Sequence, residues 1–315
     1  MERREVSYVW FDHPPRRNRN PKITPLETAT LPTLRPALEQ AVRLLESCSP
    51  SARADAEILL GHALEKPRYW PYAWQENPLP APARERFWHL IERRRRGVPV
   101  AYLMGRRGFW SLDLSVTRDT LIPRPETECL VETALDIIPK EAKWSIADLG
   151  TGAGPIALAL AHERPGCSIT ATDISAAALD VAKENARAYE NLVFRRGDWF
   201  DPLHRIDYHM IVSNPPYVAA NDPHLARGDV RFEPSLALVG GPDGLDAIRH
   251  IARKAPEHLM PGGWLILEHG FDQGARVRSL LRSFYYDGVM TRRDYGERER
   301  ITMACRAETC SHKGS

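Results

Sequence analysis

The stretch SIADLGTGAGPIALALA, Ser145 to Ala161, decides how the rest of the chain is read. An apolar run ends at Leu149, glycines follow at 150, 152 and 154, and a second apolar run starts at Ile156. Glycine lets a backbone turn tightly and come close to a guest, because it has no Cβ. Pro155 suits the first position of a helix, where its missing N–H has no intrahelical partner to lose. The stretch therefore predicts a strand, a tight loop and a helix. The same alternation repeats outward: helix ETECLVETALDII before it, then strand SITATD, helix AAALDVAKENA, a short strand near Leu192–Phe194 and strand MIVSN. Helix LDAIRHIARKA, strand WLILEHG, a further helix and a final strand pair around Val289 and Ile301–Cys305 complete it. This pattern predicts an α/β fold with a doubly wound, mostly parallel, seven-stranded sheet. Ligands of such sheets bind beyond the C-terminal ends of the strands, where Gly150, Asp173 and Asn214 fall.

Upstream the rhythm is different. Leu34, Leu38, Ala41 and Leu45 follow helical spacing, as do Ala56, Leu59, Leu60 and Ala63. A third helix, ARERFWHLIERRRR, should stop at Gly97, with arginines in its last turn where the helix dipole favours cations. In FWSLDLSVT, Trp110, Leu112, Leu114 and Val116 alternate with period two and read as a strand of a hairpin. The expected organisation is a disordered extension over 1–32, a helical substrate-recognition domain over 33–98 and a β-hairpin linker over 99–125. A catalytic domain over 126–306 and a flexible tail over 307–315 follow.

The chain has 315 residues, long enough for two domains or one domain with a substantial appendage, and its 43% hydrophobic and 27% charged residues are ordinary for a globular protein. No apolar run approaches the roughly 20 residues needed to cross a bilayer, and the N-terminus has no apolar segment of a secretory signal. Five scattered cysteines without a CxxC pair read as reduced thiols, with neither a disulfide framework nor a metal site. These features predict a cytoplasmic protein without a membrane partner. Net charge is +2, but residues 1–97 hold 17 Lys/Arg against 12 Asp/Glu, leaving the remainder at −3. The run Arg93 to Arg96 reads as a solvated helix end, with RNA contact as the alternative.

The glycine loop suits a nucleotide, and two kinds must be separated. A dinucleotide fingerprint G-x-G-x-x-G would put its third glycine at 155, where this chain has proline. Pro155 also deletes an N–H donor where a phosphate needs one. S-adenosylmethionine, an adenosine with a sulfonium and no phosphate, fits better. Gly150, Thr151, Gly152, Ala153 and Gly154 would form its cradle, and Asp173, 19 residues beyond Gly154, would accept from the ribose hydroxyls. Asp198 could receive the adenine amino group while Trp199 or Phe200 covers the base.

The second motif is SNPPY. Asn214 ends a strand, Pro215 and Pro216 stiffen the turn, and Tyr217 follows. An asparagine carbonyl and a nearby backbone carbonyl can together accept both hydrogens of a planar NH2 group, with Tyr217 against its plane. Alignment of that nitrogen with a methyl donor needs no strong base, so Glu268 and His269 read as structural.

DLGTGAG, SNPPY, LIPRPETE (Leu121–Glu128), GDVRFEPSLALVGGPDGL (Gly228–Leu245) and LEHG (Leu267–Gly270) together resemble the N5-glutamine methyltransferases of peptide chain release factors. NPPY alone is shared with DNA adenine and ribosomal RNA guanine methyltransferases; the other segments make the combination specific. The resemblance implies the S-adenosylmethionine-dependent methyltransferase fold. It also implies methylation of the glutamine in the Gly-Gly-Gln loop of class I release factors, with no direct nucleic-acid partner. By position, Gly150 to Gly154, Asp173, Trp199 and Asn214 would contact the cofactor, and Asn214 to Tyr217 would hold the glutamine. Pro155 replaces a residue that is commonly small in that family, and the 32-residue extension is unlike it. The neighbouring alternatives are a ribosomal-protein glutamine methyltransferase and a nucleic-acid amine methyltransferase. The latter calls for a more basic catalytic part.

Overall fold

The computed structural model describes residues 33–67, 69–203 and 208–308. The expected extension over 1–32 and residues 309–315 of the expected tail lie outside them. Five helices come first: α1 (Leu34–Leu45), α2 (Ala52–Ala63), α3 (Trp70–Ala73), α4 (Ala81–Arg95) and α5 (Val100–Met104). The apolar face of the sequence pattern is the face that is buried, with Leu34, Leu38, Ala41 and Leu45 meeting Ala56, Leu59, Leu60 and Ala63. Phe87 and Ile91 of α4 and Leu103 of α5 close this core. Each fully buried large side chain contributes about 1.5–3 kcal/mol. Gly97 follows α4 at φ +94°, the left-handed cap expected of it.

Two boundaries differ from the sequence expectation. Helical structure continues to Met104, inside the segment read as linker. The hairpin is only β1 (Arg106–Phe109) with β2 (Leu112–Ser115), so Trp110 lies in the turn and not in a strand. Its φ is +55°, a strained value for a bulky residue. Two carboxylates hold it there: Glu128 accepts from the Trp110 backbone N–H at 2.8 Å and Glu163 from its indole N–H at 2.7 Å.

The second half is α6 (Pro125–Ile137), β3 (Ser145–Leu149), α7 (Pro155–Glu163), β4 (Ser168–Asp173), α8 (Ala176–Asn185), β5 (Leu192–Arg196) and β6 (Tyr208–Ser213). Short 3-10 turns between 223 and 237 lead to α9 (Asp246–Lys254), β7 (Leu259–Glu268), α10 (Gly274–Ser283), β8 (Tyr286–Arg293) and β9 (Glu299–Arg306). The seven strands lie in the order β5-β4-β3-β6-β7-β9-β8. The five from β3 to β7 are parallel, and β8 and β9 form the antiparallel end. Apolar clusters cover both faces, as alternating βα units require. Among the described residues, no helix is long and apolar enough to cross a membrane.

Register decides what meets at the C-terminal edge. Leu149 pairs with Thr172 on one side and Ser213 on the other, and Ser213 pairs with Leu267. The next residue of each strand or loop therefore falls in one row: Asp173, Gly150, Asn214, Glu268.

Arg94 corrects the reading of Arg93 to Arg96 as a solvated helix end. Only 5% exposed, it pairs with Asp55 of α2 and with Asp229 of the loop after β6, both at 2.7 Å. It also donates to the Ser49 hydroxyl at 3.3 Å. One guanidinium thus ties the helical half to a loop of the other half. Removing one partner of a buried pair leaves the other charge uncompensated, at a cost of roughly 3 kcal/mol or more. Arg94→Met should lower stability by about that amount in urea unfolding, and adding Asp55→Asn should recover part of the loss. Unchanged stability in Arg94→Met would show that the pair contributes nothing.

Candidate active site

The row of strand ends opens into a cavity of about 590 Å3. Of the residues singled out in the sequence, Gly150, Gly152, Asp173, Asp198, Trp199, Asn214 and Pro216 line it. Thr151, Ala153, Gly154, Pro215 and Tyr217 do not; they stand behind the lining. The Thr151 hydroxyl donates to Asp148 at 2.6 Å, and Ala153 is 1% exposed. Gly154 lies against Leu158 and Ala182, so its lack of a Cβ serves helix contact. Phe200 is buried against His258, their rings stacked at 4.7 Å, and is a core residue.

Beneath the glycine loop a buried carboxylate lies near the start of α7. Asp148 is fully buried, and the Ala157 backbone N–H and the Thr151 hydroxyl favour its ionised form. Burial outweighs both and pushes its pKa up to about 7. A carboxylate at that helix start, together with Pro155 as the first helical residue, leaves little for an anionic ligand. Asp173 accepts from the Gly152 and Ser175 backbone N–H groups, each at 2.8 Å. Burial raises its pKa, opposed by these donors. A carboxylate offers about four acceptor sites, so Asp173 can anchor the loop and still face the cavity. Trp199, at φ +41°, puts its ring over Gly150, where a Cβ would come within 3.3 Å of it.

The NPPY turn is held by neighbours that the sequence did not announce. Asn214 donates from Nδ2 to the Thr127 hydroxyl oxygen at 3.1 Å. The Tyr217 hydroxyl donates to Glu268 at 3.2 Å, so that side chain is turned away from the cavity. Gln273 donates to the Tyr217 carbonyl at 2.9 Å. His269 is satisfied at both ring nitrogens, by the Gly270 carbonyl and the Thr302 hydroxyl at 2.8 Å each, and burial lowers its pKa. It is a neutral structural residue, as expected.

The far wall comes from segments noticed for their resemblance, or lying beside them, and not for any chemistry. Thr120 and Leu121 precede α6; Leu236, Ala237 and Val239 belong to the loop after β6; Asp246 and His250 belong to α9. The Arg124–Glu233 pair at 2.5 Å ties the first two segments together, and Glu233 also accepts from the Ile122 N–H at 3.2 Å. Leu236 is 63% exposed at the cavity, an apolar residue presented to whatever enters. Of these positions only Asp246 and His250 fall in a helix read from the sequence.

A Cβ on Gly240 would fall 2.4 Å from the Pro216 carbonyl oxygen and 2.8 Å from that of Gly244. Both neighbours are backbone and cannot move aside cheaply. Gly240→Ala should therefore shift the NPPY turn and lower stability by about 1–3 kcal/mol. Thermal unfolding measures it; an unchanged midpoint would mean the turn yields without strain.

Residues 36–105 match the PrmC N-terminal domain family, and residues 127–229 match the methyltransferase small domain family. A release factor glutamine methyltransferase of Xylella fastidiosa is 54% identical over 80% of this chain and 92% of its own length. One from Pseudomonas aeruginosa is 54% identical over 81% and 93%. Among solved structures, a release factor-specific protein-(glutamine-N5) methyltransferase from Alicyclobacillus acidocaldarius is 30% identical. It covers 59% of this chain and 94% of its own, with a TM-score of 0.38. With more than half of aligned residues identical across nearly the whole length of such relatives, the chain belongs to the release factor glutamine methyltransferase family.

Proposed function

We propose that the cavity binds S-adenosylmethionine and that the NPPY turn receives the side-chain amide of the glutamine in the Gly-Gly-Gln loop of class I release factors. The observation that carries this reading is the state of Asn214. Its NH2 is engaged by Thr127, so Oδ1 is the atom left to accept from a ligand at the cavity wall. The cradle supports the cofactor: Asp173 and Asp198 face the cavity, and the helix start behind it is filled by Asp148 and Pro155. That combination suits an adenosine bearing no phosphate. When bound, S-adenosylmethionine supplies an electrophilic methyl group on a sulfonium.

The chain's own residues do the rest. Asp173 would take the ribose hydroxyls and Asp198 the adenine amino group, with Trp199 beside the base and Gly150 to Gly154 shaping the cradle. Asn214 Oδ1 and a nearby backbone carbonyl of the turn accept the two amide hydrogens, aligning the nitrogen. Fixed alignment of this kind supplies roughly 7–11 kcal/mol. The same oxygens stabilise positive charge that grows on nitrogen. The proton can leave after transfer, so no strong base is needed at the nitrogen. Tyr217 anchors the turn from behind.

Selectivity has to come from beyond one small amide. We assign it to the helical half, which is anchored through Arg94 to Asp229 in the loop bordering the site. This half would read the body of the release factor while the turn receives only the loop tip, and such a substrate puts the enzyme to work in the cytoplasm. Radiolabelled methyl transfer offered in parallel to a release factor, a large-subunit ribosomal protein and DNA tests the whole reading. Label in the release factor supports it; label only in DNA overturns it.

Asn214→Ala should abolish turnover while cofactor affinity stays within about tenfold, roughly 1.4 kcal/mol. A variant keeping half the rate would sink the acceptor role. Asp173→Ala should weaken cofactor binding by about ten- to a hundredfold, or about 1.5–3 kcal/mol. Calorimetry showing unchanged affinity would remove Asp173 from the cofactor site.

A further inference from the structure

A ligand that carries a carboxylate needs a donor to receive it, and the glycine loop has none to spare. Backbone N–H groups inside a fold are almost always paired. Gly150 and Gly152 are the loop residues at the cavity wall, and both are engaged within the fold. The Gly150 N–H donates to the Thr172 carbonyl at 2.9 Å, and that of Gly152 to Asp173 at 2.8 Å. Behind them the Thr151 N–H also donates to the Thr172 carbonyl, and that of Gly154 to the Thr151 carbonyl, each at 2.9 Å. Pro155 has no N–H to offer. The wall also carries four carboxylates, Asp119, Asp173, Asp198 and Asp246. They suit a sulfonium and an ammonium group and repel a carboxylate.

Arg118 is the exception. Among the described residues it is the only Lys or Arg that lines the cavity, and its guanidinium is exposed, with no hydrogen bond or ion pair. The turn that carries it is nevertheless fixed. The Thr120 N–H donates to the Thr117 carbonyl at 3.1 Å, which puts Arg118 and Asp119 at the two central positions. The Thr120 carbonyl accepts from the Tyr102 hydroxyl of α5 at 2.6 Å. Asp119 accepts from the Thr117 hydroxyl at 3.4 Å, so its carboxylate is engaged within the turn.

The flanking residues set this turn along the glycine loop. Ser115 is bonded to Asn185, which also donates to the Ala153 carbonyl at 3.0 Å. At the other end Thr127 accepts from Asn214. The segment therefore runs from the glycine loop to the NPPY turn. With the ribose on Asp173, the base by Asp198 and the methyl toward Asn214, the amino-acid end of the cofactor falls on this side. His250, the other lining residue able to carry positive charge, belongs to the opposite end, its ring 6.3 Å from that of Phe200.

We propose that Arg118 receives the α-carboxylate of the cofactor's amino-acid end. The planar guanidinium fork matches both carboxylate oxygens. The proposal rests on S-adenosylmethionine as the occupant of the cavity. The helical half then takes part in cofactor binding, because Tyr102 of α5 braces the turn that presents Arg118.

Calorimetry on the full chain compares four probes: S-adenosylmethionine, S-adenosylhomocysteine, decarboxylated S-adenosylmethionine and 5′-methylthioadenosine. The last two carry no carboxylate. Arg118→Ala should weaken the first two by about tenfold and bind the other two no more weakly than the native protein does. Arg118→Lys keeps the charge without the fork and should recover part of the loss. Because the pair is open to solvent, added salt should reduce the difference between native protein and Arg118→Ala. Arg118 is exposed, so the thermal unfolding midpoint should not move. Equal weakening of all four probes in Arg118→Ala, or of none, would overturn the carboxylate subsite and leave the cofactor reading standing. Native cofactor affinity with a raised KM for release factor would also overturn it and assign Arg118 to the protein substrate. If the native protein binds none of the four probes, the cofactor reading itself fails and the subsite falls with it.

Discussion

Everything at the site depends on the register of four parallel strands. With Leu149 opposite both Thr172 and Ser213, and Ser213 opposite Leu267, the chain delivers Asp173, Gly150, Asn214 and Glu268 to one line. Side chains alternate along a strand, so a slip of one residue would turn each inward-facing group to the other face. The buried apolar residues of both sheet faces, among them Ile146, Ile211, Val212 and Ile266, make such a slip expensive. The geometry of the site is in this sense held by residues that never touch a ligand.

Two carboxyl groups are buried at that line, Asp148 and Glu268, and burial pushes each to about 7. Neither is ion-paired at close range among the described residues, and each has one oxygen without a partner in ordinary hydrogen-bond geometry. Such groups lower stability unless neighbours offset them. Asp148 is offset by the Thr151 hydroxyl and the start of α7, and Glu268 by the Tyr217 hydroxyl and the field of Arg300. In return, one carboxylate occupies the helix start behind the glycine loop and the other fastens the NPPY turn.

The remaining walls are joined to this centre by long-range pairs. Arg124 with Glu233 ties the segment before α6 to the loop after β6, and Arg94 with Asp229 ties the same loop to the helical half. Asn185 performs a similar task at the glycine loop, donating to the carbonyls of Ala153 and of Ser115 in the hairpin, each at 3.0 Å. Loop, hairpin and helices are thereby held in one arrangement around the opening.

Much of this was legible in the sequence, because periodicity and glycine or proline placement are local. Helical spacing revealed the buried face of α1 and α2, alternation of βα units revealed the sheet, and DLGTGAG and SNPPY pointed to strand ends that line the cavity. Local reasoning failed at Trp110, whose apparent alternation ends in a strained turn held by Glu128 and Glu163. It failed again at Arg94, where a charged run reads as solvated but a partner 135 residues away buries one member. Asn214 meets Thr127 across 87 residues, and Tyr217 meets Glu268 across 51. No spacing rule connects such positions, and no composition shows that a glutamate at a strand end is sealed from water. The sequence alone determined the elements and the motifs; only the tertiary structure decided which groups are buried together, because desolvation and hydrogen-bond direction exist only once distant segments have met.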